Sequence, residues 1–290
     1  MHPPIRIRIL ASGSQGNAAI VSLRPRDDAP THLIIDLGLS PRKLCGALAV
    51  ENIKPHEIAA ILITHADADH LHGGWARRWP FENAKVIARN AHHRALAKAG
   101  IQPAHVLDAD GNSQVFFPQI KTFALPHDQS GSTAFHISTD GVAMGWATDL
   151  GRMSSDALAF FAGVDALCIE SNYDARMQQH SSRPDFLKER IMGGHGHLSN
   201  VEAMQAVLHI HRKRALRHIV LLHLSSQCNS QDLVRELWNT HAPEIAGDMQ
   251  VATQTLPLPW LCVGQPRHCN WSESLFAAQH STFNSSCAGQ

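Results

Sequence analysis

Apolar positions in the first half of the chain fall in short, β-branched runs cut by turn residues, the pattern of buried strands. Runs at 5–10, 18–23, 32–36, 58–64 and 86–88 predict strands, with helix-length segments at 40–51 and 90–99 between them. Gly16-Asn17 and the turn-rich stretch 24–30 predict that the opening strands form a meander. The second half repeats the theme, with strands predicted at 120–125, 133–138, 142–148, 166–170 and 218–223 and helices at 185–192, 200–214 and 230–239. Two halves that each run from strands into helices predict an α/β (α+β) architecture of two facing sheets with helices outside. Beyond Val263 the chain turns to Ser, Asn, Gln and His without apolar periodicity. The division expected is therefore one domain over 4–263 and a flexible tail over 264–290.

Composition narrows the class. With 290 residues, 44% hydrophobic and 17% charged, the chain can bury a sizeable core, which excludes disordered and fibrous classes. No apolar run approaches the roughly 20 residues needed to cross a bilayer, and the first ten residues lack a signal-peptide pattern, so a cytoplasmic protein with no membrane partner is expected. The 25 basic and 25 acidic residues cancel, which argues against a global basic coat for nucleic acid but leaves room for a local patch. Six scattered cysteines form no CxxC pair, which argues against a zinc finger or disulfide scaffold. Twenty-one histidines raise the question of which converge.

The densest chemistry is Thr64-His65-Ala66-Asp67-Ala68-Asp69-His70, directly after the apolar run 58–63. Four ligand-type side chains in six positions at the end of a buried strand suit a loop feeding one or two metal ions. A helix start capped by Asp67 or Asp69, with exposed histidines, is the competing reading. Three more ligand-type residues end apolar runs: His127, Asp149 and His223. Together they favour a shared site at one rim of the sandwich. His72, two residues past His70, reads as a helix-face residue rather than a ligand. The loop Ser12-Gly13-Ser14-Gln15-Gly16-Asn17 has glycines that would let backbone N–H groups approach an anion, although a plain hairpin turn would carry the same residues. With neither GxGxxG nor a P-loop lysine, no nucleotide cofactor is expected. Basic residues gather at Arg77, Arg78, Lys85, Arg89 and Arg94 and at Arg212, Lys213, Arg214 and Arg217; such groups are usually solvated faces, and would track a nucleic-acid backbone only if they border the cleft.

The order His65, Asp67, Asp69-His70, then His127, Asp149 and His223 at strand ends resembles the metallo-β-lactamase superfamily. More narrowly, the chain resembles the WalJ/YycJ-like exonucleases through Ala11-Ser12-Gly13-Ser14, Ile35-Asp36-Leu37-Gly38, Ala147-Thr148-Asp149-Leu150-Gly151, Ile169-Glu170-Ser171-Asn172, Gly196-His197-Leu198-Ser199-Asn200 and Leu222-His223-Leu224-Ser225. The resemblance implies a four-layer αββα sandwich holding two divalent metal ions. His65, Asp67 and His127 would hold one ion, Asp69, His70 and His223 the other, and Asp149 would bridge them. Family members usually carry His where Asp67 stands; a carboxylate there favours Mn²⁺ or Fe over a purely imidazole-type Zn²⁺ site. They often carry His where Tyr173 stands as well.

The activity implied is phosphodiester hydrolysis by a hydroxide shared between the ions, most readily exonucleolytic digestion of DNA from a 5′ end. Asp69 and His197 would be catalytic, the first taking a proton and the second stabilising charge or donating to the leaving oxygen. Ser12, Ser14 and Asn17 would contact substrate. Hydrolysis of a small phosphodiester or thioester, and a non-catalytic binding role with a site disabled by Asp67, are the alternatives.

Overall fold

In a computed structural model of the chain, the described residues are 3–24, 30–102, 106–108 and 119–264. The segment expected to be a tail lies outside them from 265 onward. The first sheet begins with an antiparallel meander of β1 (Ile5–Ala11), β2 (Ala18–Leu23) and β3 (Thr31–Ile35), as the turn residues predict. It continues in parallel through β4 (Ile58–Leu62), β5 (Lys85–Ala88) and β6 (Val106–Asp108). The second sheet repeats this plan: β7 (Gln119–Leu125), β8 (Ser132–Thr139) and β9 (Val142–Ala147) are antiparallel, then β10 (Ala166–Glu170), β11 (His218–Leu222) and β12 (Met249–Val251) are parallel to β9. Finally β13 (Leu261–Val263) returns to pair with β1.

Strands β2, β10 and β11 are buried on both faces, which explains why they read as near-continuous apolar runs, whereas β1 keeps the alternation of a half-buried strand. Val220 and Leu222 of β11 face the first sheet, joining Ile7, Val21 and Leu62 in the central core. Ile219 and Leu221 face outward and meet Val207, Ile210 and Trp238. Those three belong to α6 (Asn200–Lys213) and α7 (Gln231–His241) in the helical layer that covers the second sheet, where α3 (Ser155–Phe160) also packs. On the far side, Ile20, Ile34 and Ile61 pack against Leu44 and Leu48 of α1 (Pro41–Val50) and Leu96 of α2 (His93–Lys98). The layers are thus αββα. Ser199 and Glu202 form a reciprocal capping box at the start of α6, which fixes the turn carrying His197.

Several elements differ from the sequence expectation. The 90–99 segment is a 3₁₀ turn followed by α2, and no helix follows Asp69-His70 directly. There the chain turns, with His70 N and Leu71 N donating to Asp67 O, bridges Leu37 through Leu71, and only then enters a 3₁₀ turn at Gly73–Arg77. His72 Nδ1 accepts from Gly74 N and so caps that turn. The short helices α4 (Ala175–His180) and α8 (Pro243–Ala246) and the edge strands β6, β12 and β13 were not expected, because three to six residues are too few to show a period. The expected helix at 185–192 is present as α5 (Asp185–Met192).

Candidate metal centre

Every expected ligand follows the C-terminal end of a strand, and topology places those ends on one rim. Strands β3 and β4 are parallel, as are β9, β10 and β11, and β7 runs parallel to β9 because two antiparallel steps separate them. Open α/β sheets gather ligands at the carboxyl ends of their strands for this reason. The chain leaves several of these strands with a sharp turn. Asp36, Asp128, Asp149 and His223 all have φ between 42° and 61°, a left-handed conformation uncommon outside glycine. Backbone strain of this kind collects at functional sites, where the surrounding structure holds it.

The seven candidate ligands converge. His65, Asp67 and His127 form one group of donor atoms; Asp69, His70 and His223 form a second; within each, ligand atoms lie within 4.8 Å of one another. Asp149 joins both sides: it groups with His65 and His70, and again with Glu170, His197 and His223. Its Oδ2 is 2.9 Å from His70 Nε2 and its Oδ1 3.3 Å from His223 Nδ1. Asp67 is the most solvent-facing member, with Oδ2 3.7 Å from His65 Nε2.

Each imidazole is oriented by a protein oxygen on its second nitrogen, the arrangement that sets the tautomer of a ligating histidine. His127 Nδ1 donates to Gly196 O at 2.7 Å, and His70 Nδ1 donates to Asp36 Oδ2 at 2.7 Å. Asp36, wholly buried, also accepts from Thr64 N and Thr64 Oγ1 at 2.8 and 2.9 Å, which ties the end of β3 to the start of the ligand loop. Glu170 is the corresponding hub of the second sheet. Its Oε1 accepts from His197 Nδ1 at 2.7 Å and His223 Nδ1 at 3.1 Å, and its Oε2 from Leu150 N and Leu198 N at 3.0 and 3.3 Å.

The electrostatics suit cations. Burial by itself would lower His70 and His223, yet neighbouring Asp149, with Asp36 for His70 and Asp69 and Glu170 for His223, raises both, His223 to about 10. Burial would raise Asp149, and the adjacent His223 and His70 instead hold it well below the usual carboxylate range. His65 moves the other way: burial and the charge of His70 push it well below its ordinary value. Buried carboxylates among imidazoles form a mixed N and O donor set of the type that takes divalent ions, whose binding displaces protons. The residues present therefore fit such ions.

Around this centre lies a cleft of about 440 Å³. Ser14 lines it, as do Asp69 and His197. Ser12 and Asn17 are placed differently. Both are buried, Ser12 Oγ accepts from His223 N at 2.8 Å, and Asn17 Nδ2 lies 2.9 Å from His70 Nε2. They brace the ligand-bearing loops rather than face the cleft. Gly38 completes that packing, since a Cβ there would overlap the Asp69 carbonyl. The two basic clusters noted in the sequence do not line the cleft. Arg214 pairs with Asp165, and Arg217 donates to Gly264 O. The arginines that do line it are Arg183 and Arg190, beside and on α5. Tyr173 is buried in a small cluster with Ile191 and Cys228 behind α5, a packing role.

Asp36, Glu170, Arg183 and Arg190 join the centre or its cleft without a role expected for them from the sequence. The two carboxylates had a usable signal, an acid at the end of an apolar run. The arginines had none, because they sit in and next to a polar segment.

An αββα sandwich with paired His and Asp clusters at one rim defines a metal-dependent hydrolase of the metallo-β-lactamase kind. Residues 32–223 match the model of the β-lactamase superfamily domain. The solved structure of YhfI from Bacillus subtilis, a metallo-β-lactamase fold protein, superposes with a TM-score of 0.63 at 15% identity, covering 88% of this chain and 99% of that one. Within the superfamily the match is closer to one group. "Exodeoxyribonuclease WalJ" of Streptococcus pneumoniae is 31% identical over 231 residues, 78% of this chain and 83% of that protein. "Exodeoxyribonuclease YycJ" of Bacillus anthracis is 25% identical over 237 residues, 80% and 86% respectively. The chain belongs to the WalJ/YycJ family of the β-lactamase superfamily.

Proposed function

We propose that the protein is a metal-dependent DNA exonuclease that hydrolyses phosphodiester bonds, with the 5′ to 3′ polarity implied by the family resemblance. The convergence of two donor groups on a shared Asp149, beside a cleft open to substrate, carries this reading. In it, His65, Asp67 and His127 would hold one divalent ion and Asp69, His70 and His223 a second, with Asp149 shared between the two donor groups. Ions so held would supply Lewis acidity, lowering the pKa of a water and neutralising charge on the phosphodiester.

The protein's own residues complete the chemistry. His197 Nδ1 is committed to Glu170 Oε1, so Nε2 is the atom left to hydrogen-bond a phosphoryl oxygen or give a proton to the leaving oxygen. Burial would lower His197, and Glu170 beside it raises it, which favours the protonated, donating form. Asp69, one of the carboxylates that line the cleft, would accept a proton from the attacking water. The exposed Asp67 makes its site harder and more anionic than one with three imidazoles, which favours Mn²⁺ or Fe over Zn²⁺. Ser14, the member of the glycine loop that lines the cleft, would touch substrate.

The test incubates purified protein, supplied with Mn²⁺ or Zn²⁺, with end-labelled single- and double-stranded DNA, RNA and bis(p-nitrophenyl) phosphate. The expected result is stepwise loss of DNA from one end, abolished by chelation and by Asp149→Asn together with the bound metal. Hydrolysis of the small ester with intact DNA would overturn the nuclease reading. Inactivity on every substrate with no metal bound would overturn the enzyme reading.

A further inference from the structure

We infer that Arg183 anchors a backbone phosphate of the DNA strand next to the scissile bond, an assignment that rests on the nuclease reading above. Arg183 lies between α4 and α5 and lines the cleft that also contains Asp149, His197 and His223. Its guanidinium is held by neutral oxygens: Nη1 donates to Gln178 Oε1 at 2.9 Å, Nε to Gln227 Oε1 at 3.1 Å, and Nη2 to Ser225 Oγ at 3.5 Å. Among the described residues it forms no salt bridge. Arg190, the other arginine of the cleft, is instead paired with Asp128, so its charge is already compensated.

The three contacts use three of the five guanidinium N–H groups and leave one on each terminal nitrogen, a pair suited to a phosphate. Holding the group costs the fold something. Gln178 is wholly buried, and turning its oxygen to Arg183 leaves its Nε2 without a hydrogen-bond partner. The frame is also tied to the centre. Ser225 N donates to Asn172 O at 2.8 Å, and Asn172 Nδ2 donates to His223 O at 2.7 Å, so guanidinium and ligand share one scaffold. The rest of the cleft wall carries Asp67, Asp69 and Asp149, which would repel a polyanion beyond the reach of the ions. An uncompensated, pre-oriented cation in the same cleft fits a phosphate neighbouring the one being cleaved.

The experiment compares wild-type protein, Arg183→Gln and Arg183→Lys on oligonucleotide DNA and on bis(p-nitrophenyl) phosphate, which has no neighbouring phosphate. Arg183→Gln is expected to lower kcat/KM on DNA roughly 10–100-fold, mainly through KM. Its loss on the small ester should be at least about tenfold smaller, because one charged contact is absent from that substrate. The slope of log KM against log salt should flatten by about 0.7–0.9, one phosphate contact, and Arg183→Lys should restore most of that slope. Equal losses on both substrates, or an unchanged KM and salt slope on DNA, would overturn the assignment while leaving the nuclease reading intact. A wild-type protein that cleaves only the small ester would overturn both. Metal content measured in each variant separates these outcomes from a collapsed centre.

Discussion

Replacing Glu170 with glutamine removes one acceptor oxygen from a site that uses both. Leu150 N and Leu198 N are fixed backbone donors, so the single oxygen of the new amide must stay on their side. Its NH₂ then faces His197 Nδ1 and His223 Nδ1, now 2.7 and 3.1 Å from a carboxylate oxygen. Two donors cannot face each other, so each imidazole must carry its proton on Nε2 instead. In His223 that nitrogen belongs to the donor group with Asp69 and His70, and a protonated nitrogen cannot ligate an ion. Loss of such an outer hydrogen bond typically weakens metal binding 10–100-fold, about 1.4–2.8 kcal/mol. Two charge-assisted bonds also become neutral ones at a cost of about 1 kcal/mol each. About 2 kcal/mol in a domain of this size corresponds to a fall in Tm of about 4–8 °C. Metal-buffered equilibrium dialysis, with thermal unfolding of the same samples, measures both quantities. A Glu170→Gln protein whose metal affinity stays within twofold of wild type would refute the tautomer argument, whatever its Tm.

Three other perturbations separate the roles of single residues. His197→Ala should retain bound metal while its rate falls about 10²–10⁴-fold, as for loss of a general acid; metal loss, measured by elemental analysis, would contradict its assignment. Asp67→His should tighten the first site and shift its preference towards Zn²⁺, and competition titration showing unchanged content and preference would mean that Asp67 is not a ligand. Trp238→Ala removes a wholly buried side chain beneath the second sheet and should cost about 3–5 kcal/mol in a denaturant titration, with metal stoichiometry preserved below the melting transition.

Much of the frame was legible because it is written locally. The runs at 18–23 and 166–170 carry the same bounds in the fold as in the pattern. The runs at 58–64 and 218–223 end as strands at Leu62 and Leu222; His223 follows the second strand directly, and Thr64 follows the first after one more apolar residue, Ile63. Ser40 and Ser199 cap helices where the sequence has serine before a helical period. The edge strands β12 and β13 escaped because three residues contain no period; the equally short run 86–88 was legible by its β-branched pair Val86-Ile87. The two basic clusters lie off the cleft, as solvated faces usually do, and the arginines that line it, Arg183 and Arg190, could not be found by counting charges along the chain, which ignores which side of an element faces the centre.

By itself the sequence determined which side chains can ligate and that each follows an apolar strand, since burial forbids such groups within the strand and expels them at its end. Only the tertiary structure decided that those ends meet. Parallel pairing sends β3, β4, β7, β9, β10 and β11 out at one rim, and packing two sheets face to face brings both rims together. The partners that orient the ligands, Asp36 to His70 across 34 positions and Glu170 to His223 across 53, obey no spacing rule. A buried carboxylate acquires such a partner only through three-dimensional contact, where desolvation makes each of its unmet hydrogen bonds costly.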